Sequence, residues 1–498
     1  MKRISLVCVY VGFSACCYAK ENFKNPVLLP SQRISPTFTE SENKQVTFTD
    51  HVATDPNQQK PLLLREVLAA VETAYPSILE AQAQIEAREF DRFSSLGSFD
   101  PRLKGKYKNT QFGDYENQLA DVTLEQRVSP FGMSLFGGYQ NGAGDFAVYD
   151  GKLNSNEYGA IFGGVKIPTL KDRSTDSART QIKARQILID SGKAQLQSAI
   201  NQVSWFSKRK YWDWIGSGFK LQIMNNLLEL AETRDRYLKV RYEKGDIPKL
   251  VWIDNQRIIL QRRNQLNLAK RSHQKNAIDL SIYLRDSSGK PLLPVDDRRP
   301  SYVEPPKKSK EVMAGLSWSI DNHPELQELK KSVQENLAEQ ELANNELLPK
   351  LDLELGSKRE LGEGVFKNKT ELNVGASLEV PLFFRQARGK LGSLKAKERA
   401  LNQKQRLLQD TLRNQAQDFL LAMDIHQETY LDAQMEAMTA LQVEEGERIK
   451  FSSGESDLLL VNIREQSSVD AIFREIDALV LYYQSKAGLE AVLVSPTK

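Results

Sequence analysis

The sequence predicts a mainly α fold with membrane β: long antiparallel helical hairpins joined to β-strands, arranged as an internal two-fold repeat. Three observations predict it. About 70 residues, Thr175 to Lys244, run without a proline, and Ile182, Ile189, Leu196 and Val203 recur there every seven positions. A second such run, Arg385–Ser452, carries Leu394, Leu401 and Leu408 at the same spacing. Between the helical stretches lie segments of apolar–polar alternation, about nine to eleven residues long, the length a tilted strand needs to cross a bilayer. At ~1.5 Å per residue the first run is roughly 105 Å long, more than a globular domain can use.

Composition narrows the class. With 68 basic and 65 acidic residues the net charge is +3, too balanced to make an electrostatic case for a nucleic-acid partner. A mean hydropathy of -0.48 argues against a bundle of transmembrane helices. Lys2 and Arg3 precede a short apolar run, Ile4–Ala15, and Cys17-Tyr18-Ala19 reads as a small-x-small cleavage site, so residues 1–19 are expected to be a signal peptide. The rival reading is lipid attachment at Cys16, with Phe13 a poor fit to the aliphatic residue usual there. All three cysteines (Cys8, Cys16, Cys17) lie in this segment, so the exported chain is expected to be held by packing and not by disulfides.

In chain order, residues 20–60 have no periodicity and read as an extended arm. Leu64, Val67, Leu68, Val71, Ala74, Ile78, Ala81 and Ile85 then give a helix, which Pro76 kinks or divides. Strands follow around Leu103–Tyr107, Leu119–Val128, Met133–Tyr139 and Ile161–Ile167, with a turn at Ser129–Gly132 and a Gly- and Asp-rich loop over Asn141–Asn156. Pro168 ends the last strand, Asp172, Ser174 or Thr175 can cap the first long helix, and Gly245-Asp246-Ile247-Pro248 breaks it. A returning helix runs over Lys249–Arg285, and residues 286–310, with five prolines, read as a linker. The order then recurs: a helix over Glu311–Leu347 interrupted by Pro324, strands Lys350–Lys358 and Thr370–Val380, the second long run, a break at Gly454, and a helix from Asp457 to about Leu493. The repeat therefore spans 61–285 and 311–493, with 494–498 as a tail. Tyr75-Pro76 matches His323-Pro324, and Pro101 matches Pro349, both at an offset of 248. About 35 extra residues near 115–150 in the first half, kept in phase, read as one added hairpin.

Four strands, or six with that hairpin, cannot close a membrane barrel, because an open edge in lipid leaves backbone groups unpaired. The chain is expected to oligomerise and pool its strands, and the heptad seams also need neighbouring helices.

These features resemble the outer membrane efflux protein family, the TolC-like channels. The likeness rests on the two-fold repeat, the helix–strand–strand–long helix order, and the Tyr/Phe-x-x-Gly turns at Tyr242–Gly245 and Phe451–Gly454, and covers about residues 61–493. It implies a homotrimer whose β-barrel lies in outer-membrane lipid and continues as a helical tunnel across the periplasm of a Gram-negative cell. It also implies a periplasmic adaptor, an inner-membrane pump or ABC exporter, and no enzymatic role. By resemblance the tip and adaptor contact would be Tyr242, Gly245, Asp246, Pro248, Phe451, Gly454, Glu455 and Asp457. Some members carry acidic rings six and nine positions after the second glycine. This chain has Leu460 and Ile463 there, and Asp254 at the ninth position of the first half. The constriction is then either an acidic ring from Asp254 or an apolar one that gates by dewetting.

Arg102, Lys104, Lys106 and Lys108 on one strand, and Asp352, Glu354, Glu371 and Glu379 on others, are candidates for the barrel lumen; the alternative is charge that is solvated or mutually paired. Trp205, Phe206, Tyr211, Trp212 and Trp214 are expected to pack between helices. His51, His273, His323 and His426 have no metal-site spacing, and no cofactor is expected. The competing function is a surface-anchored structural or adhesive coiled-coil protein, which predicts long helices without membrane strands.

Overall fold

Two short helices, α1 Leu64–Ala74 and α2 Pro76–Leu96, meet at a break where Pro76 takes the first position of the second. Proline is tolerated there because the first helical N–H groups have no acceptor within the helix. The computed structural model describes residues 60–112, 114–146, 155–286, 288–314, 320–364, 366 and 369–493. The expected signal peptide with Cys16, all of the arm but Lys60, and the tail 494–498 lie outside these residues.

The chain continues through β1 Arg102–Thr110, β2 Asn117–Arg127, β3 Ser134–Gly144 and β4 Ala160–Pro168 into α3 Ser177–Glu243 and its return, α4 Lys249–Ser281. Then come α5 Ser309–Ala314, α6 Pro324–Asn345, β5 Lys350–Glu360, β6 Thr370–Glu379, α7 Arg385–Ser453 and α8 Leu458–Val492. The strands form one antiparallel sheet in sequence order, β1 to β6, with β1 and β6 as edges. The sequence places a loop from Asn141, but β3 runs on to Gly144, because Asn141–Gly144 pair with Asn117–Ala120 of β2. Glycine-rich backbone extends readily when a partner strand takes its hydrogen bonds. The stretch read as a free linker is also pinned. The Leu62 N–H donates to the Arg298 carbonyl at 2.7 Å, the Lys307 N–H to the Tyr482 hydroxyl at 3.0 Å, and α5 begins before position 310.

The α3 helix, 67 residues and about 100 Å long, is capped by Asp176, which accepts from the Arg179 N–H at 2.8 Å. Its heptad seam needs no second copy: Leu196 and Val203 pack with Val71 and Ile78 of α1 and α2. On α7 the same holds for Leu408, which joins Leu326 of α6, Leu412 and Met423. Midway along α3, Tyr211, Trp214 and Ile215 are buried with Leu62 and Leu280. The Tyr211 hydroxyl donates to the Leu62 carbonyl at 2.9 Å, and burial pushes its pKa up to about 12. Trp212 stacks on Tyr483 of α8, ring centroids 4.0 Å apart. Tyr211, Trp212 and Trp214 thus fasten α3 to its neighbours, as expected of them, while Phe206 is exposed and stacks on Trp205 of the same helix.

Candidate functional site

Two places carry the residues that sequence singles out, the sheet and the far ends of the long helices. In the sheet, directly paired residues share a face. Lys104 pairs across the strands with Thr123, Gly138, Phe162, Lys358 and Glu371 in turn. Following such rows puts Arg102, Lys104, Lys106, Lys108, Asp352, Glu354, Glu371 and Glu379 all on one face. Some of this charge is mutually paired: Lys104 with Glu125, Lys166 with Asp352 at 3.1 Å, and Lys358 with Glu360 at 2.9 Å. Asp352 is buried, so it is a structural partner and not a free acidic group. Phe136 and Phe162 share this face, and glycine opposite each makes room: a Cβ on Gly138 would meet the Phe162 ring at 2.7 Å, and one on Gly164 the Phe136 ring at 2.7 Å.

The opposite face reads Leu103 and Tyr107, Val122 and Leu124, Leu135 and Tyr139, Ile161, Leu353 and Leu355, and Leu372, Val374 and Leu378. All of these are exposed, Leu372 at 82% and Val374 at 78%. Along β2 the charged-face residues Asp121, Thr123 and Glu125 are half-buried while Ala120, Val122 and Leu124 are exposed. Along β2 the polar side is therefore the sheltered one, whereas the charged residues of the edge strands β1 and β6 are exposed. Such a large contiguous apolar face on one chain requires a cover.

At the other end, the two breaks share one geometry. Gly245 has φ +81° and Gly454 φ +84°, the left-handed region that glycine enters without a Cβ penalty. The Gly245 N–H donates to the Tyr242 carbonyl at 2.9 Å and the Asp246 N–H to Arg241 at 2.9 Å. In the same pattern the Gly454 N–H donates to Phe451 at 3.2 Å and the Glu455 N–H to Lys450 at 2.8 Å. Pro248 is the N-cap of α4, and Asp457 caps α8 by accepting from the Leu460 N–H at 2.8 Å. Tyr242 stacks on Trp252 at 5.5 Å. Leu238, Ile247, Leu250, Phe451, Asp457 and Leu459 line a groove of about 610 Å³ between the two turns, which Asp254 also borders. Asp254 pairs with Arg257 at 2.9 Å, while Leu460 and Ile463 are exposed on one side of α8.

Sequence reasoning missed what joins these hairpins. A few turns inside the glycine breaks, Glu465 of α8 is fully buried between Arg234 of α3 and Arg262 of α4, and Arg448 of α7 approaches it at 3.4 Å. Arg234 also donates to Asn462 at 2.8 Å, Arg262 to the Leu227 carbonyl at 3.0 Å, and Glu444 takes Arg448 and Ser468. Burial lowers the pKa of Arg234, and the Glu465 charge opposes that. A buried carboxylate with three arginines ties all four long helices together. Elsewhere His273 sits between Ser217 and Asp296. Among the described residues there is no group of three metal-ligating side chains, and no helix is long and apolar enough to cross a membrane.

No family model and no curated protein sequence matches the chain. Solved structures do. The outer-membrane channel OprN is 12% identical and superposes with a TM-score of 0.62 over 86% of this chain and 89% of its own. The Campylobacter jejuni outer membrane channel CmeC is 12% identical, TM-score 0.59, over 91% and 94%. The open state of the Neisseria gonorrhoeae outer membrane channel MtrE is 13% identical, TM-score 0.59, over 86% and 88%. With so little shared sequence, the agreement is one of architecture over nearly the whole of each chain. This chain has the fold of the TolC-like outer-membrane efflux channels.

Proposed function

We infer that the chain is an outer-membrane export duct without chemistry of its own. The observation that carries this is the sheet: six strands with an exposed apolar face on one side and a charged face on the other, continuous with helices about 100 Å long. Three copies would pool their strands, face lipid with the apolar side and line a water-filled lumen with the charged one. The helices would cross the periplasm and end at the glycine turns. There Tyr242, Gly245, Asp246, Pro248, Phe451, Gly454, Glu455 and Asp457 would meet a periplasmic adaptor, coupling the duct to an inner-membrane pump or ABC exporter. Leu460 and Ile463 would form an apolar constriction that opens as the tip helices move outward. Asp254 is the weaker candidate, because Arg257 neutralises it. Membrane strands are what a purely adhesive coiled coil lacks. Purified protein reconstituted in planar bilayers should give discrete conductance steps, and outer-membrane fractions should hold a heat-stable trimer. A soluble monomer with no conductance sinks the reading.

A further inference from the structure

The two edges of the sheet complement each other. β1 presents Arg102, Lys104, Lys106 and Lys108, and β6 presents Glu371 and Glu379 on the same face. Arg102 opens β1 and Glu379 closes β6, both beside the long helices, while Lys108 and Glu371 lie toward the other end. Six strands is an even number, so β6 of one copy meets β1 of the next antiparallel, with basic and acidic side chains opposed at both ends of the seam. All ten residues of β6 and all but one of β1 are exposed, as an unpaired edge requires.

Resting on the duct reading, we propose that three copies join β1 to β6 head to tail and close an eighteen-stranded barrel, with the β2–β3 hairpin built into its wall. Within one chain β2 and β3 are paired between β1 and β4 along most of their length, so the hairpin is wall and not an external loop. The rotation closes the ring and leaves no edge in lipid. With strands ~4.8 Å apart and tilted ~40°, eighteen strands put opposite backbones about 36 Å apart, against about 24 Å for twelve. The membrane end is then a wide pore lined with charge of both signs, suited to bulky hydrated cargo, and selection falls to the narrow tip.

Cryo-electron microscopy of the full chain in lipid nanodiscs counts the wall directly. Eighteen strands in a trimer is the expected result. A trimer with a twelve-stranded wall and β2–β3 outside it overturns this inference and leaves the duct standing, whereas a chain with no membrane-inserted oligomer overturns both. The seam is tested separately. Glu371→Lys with Glu379→Lys should lose the heat-stable trimer at unchanged helical circular dichroism, and adding Arg102→Glu and Lys108→Glu should restore it. Trimers indifferent to both sets would refute the β1–β6 pairing.

Discussion

The two long helices have nearly equal length, 67 and 69 residues, but they are used differently. α3 is wrapped by its own chain: Ile189, Val203, Trp214, Met224, Leu227 and Leu238 are buried along its full length. α7 buries Leu394, Leu412 and Met423 but leaves Leu421, Leu431, Met435, Met438 and Ile449 exposed. All five keep intervals of seven or fourteen residues: 421, 435 and 449, and 431 and 438. A long helix with an apolar stripe and nothing over it is half of an interface. The contrast separates what holds one chain together from what would hold copies together.

The largest expected effect falls on α3. Trp214 is fully buried, and Trp214→Ala should cost about 3–5 kcal/mol of chain stability by urea denaturation. Glu465→Ala should cost about 3 kcal/mol, because it strands Arg234 and Arg262 without their partner. That is the low end for a broken buried pair, since Arg448 at 33% exposure can turn to water. Opening at the tip should follow, read as faster hydrogen exchange near the glycine turns than in the middle of α3. On α7 the outcome inverts. Leu421→Asp with Met435→Asp should leave single-chain stability within about 0.5 kcal/mol yet abolish trimers in sedimentation. If the pair unfolds the chain instead, the stripe is internal and the comparison fails.

Much of this was legible because the signals are local. Heptad spacing gave both long helices, prolines and glycines gave their ends, and alternation gave all six strands. What was not legible depends on which segments meet. The lumen candidates were visible as faces of separate strands, but only the register puts Arg102 and Glu379 on the same side. Glu465 looks like any surface glutamate of a charged helix, since its burial is set by Arg234 and Arg262, more than 200 positions away. The heptads were read as a reason to oligomerise. Their partners proved to be the short helices just upstream, and the case for copies moves to the sheet and to the α7 stripe.

A smaller effect tests whether the two breaks are equivalent. Gly245 and Gly454 share a left-handed conformation, and an added Cβ meets nothing within 4 Å at either. Alanine at each should therefore cost only the backbone term, about 1–2 kcal/mol, and nearly the same at both. A much larger loss at one would mean that its turn is packed in the assembly.

The smallest effect is a pH dependence beside the middle of α7. His323, the N-cap of α6, is 7% exposed and lies in a recess with Asn201, Trp205 and Phe419. Burial lowers its pKa, and the nearby Glu325 carboxylate and a hydrogen bond to the Ala491 backbone only partly oppose this. The unfolded chain then takes up the proton first as pH falls. His323 contributes fully above about pH 6.5, the ordinary histidine value, and its contribution is lost as pH drops below that. His426, also lowered by burial, acts in the same direction. Stability should thus decline between pH 7 and pH 5.5, before most carboxylates titrate, and the decline should shrink in His323→Gln and vanish in the double variant with His426→Gln. A slope unchanged in the double variant would mean that neither imidazole is held neutral by its burial.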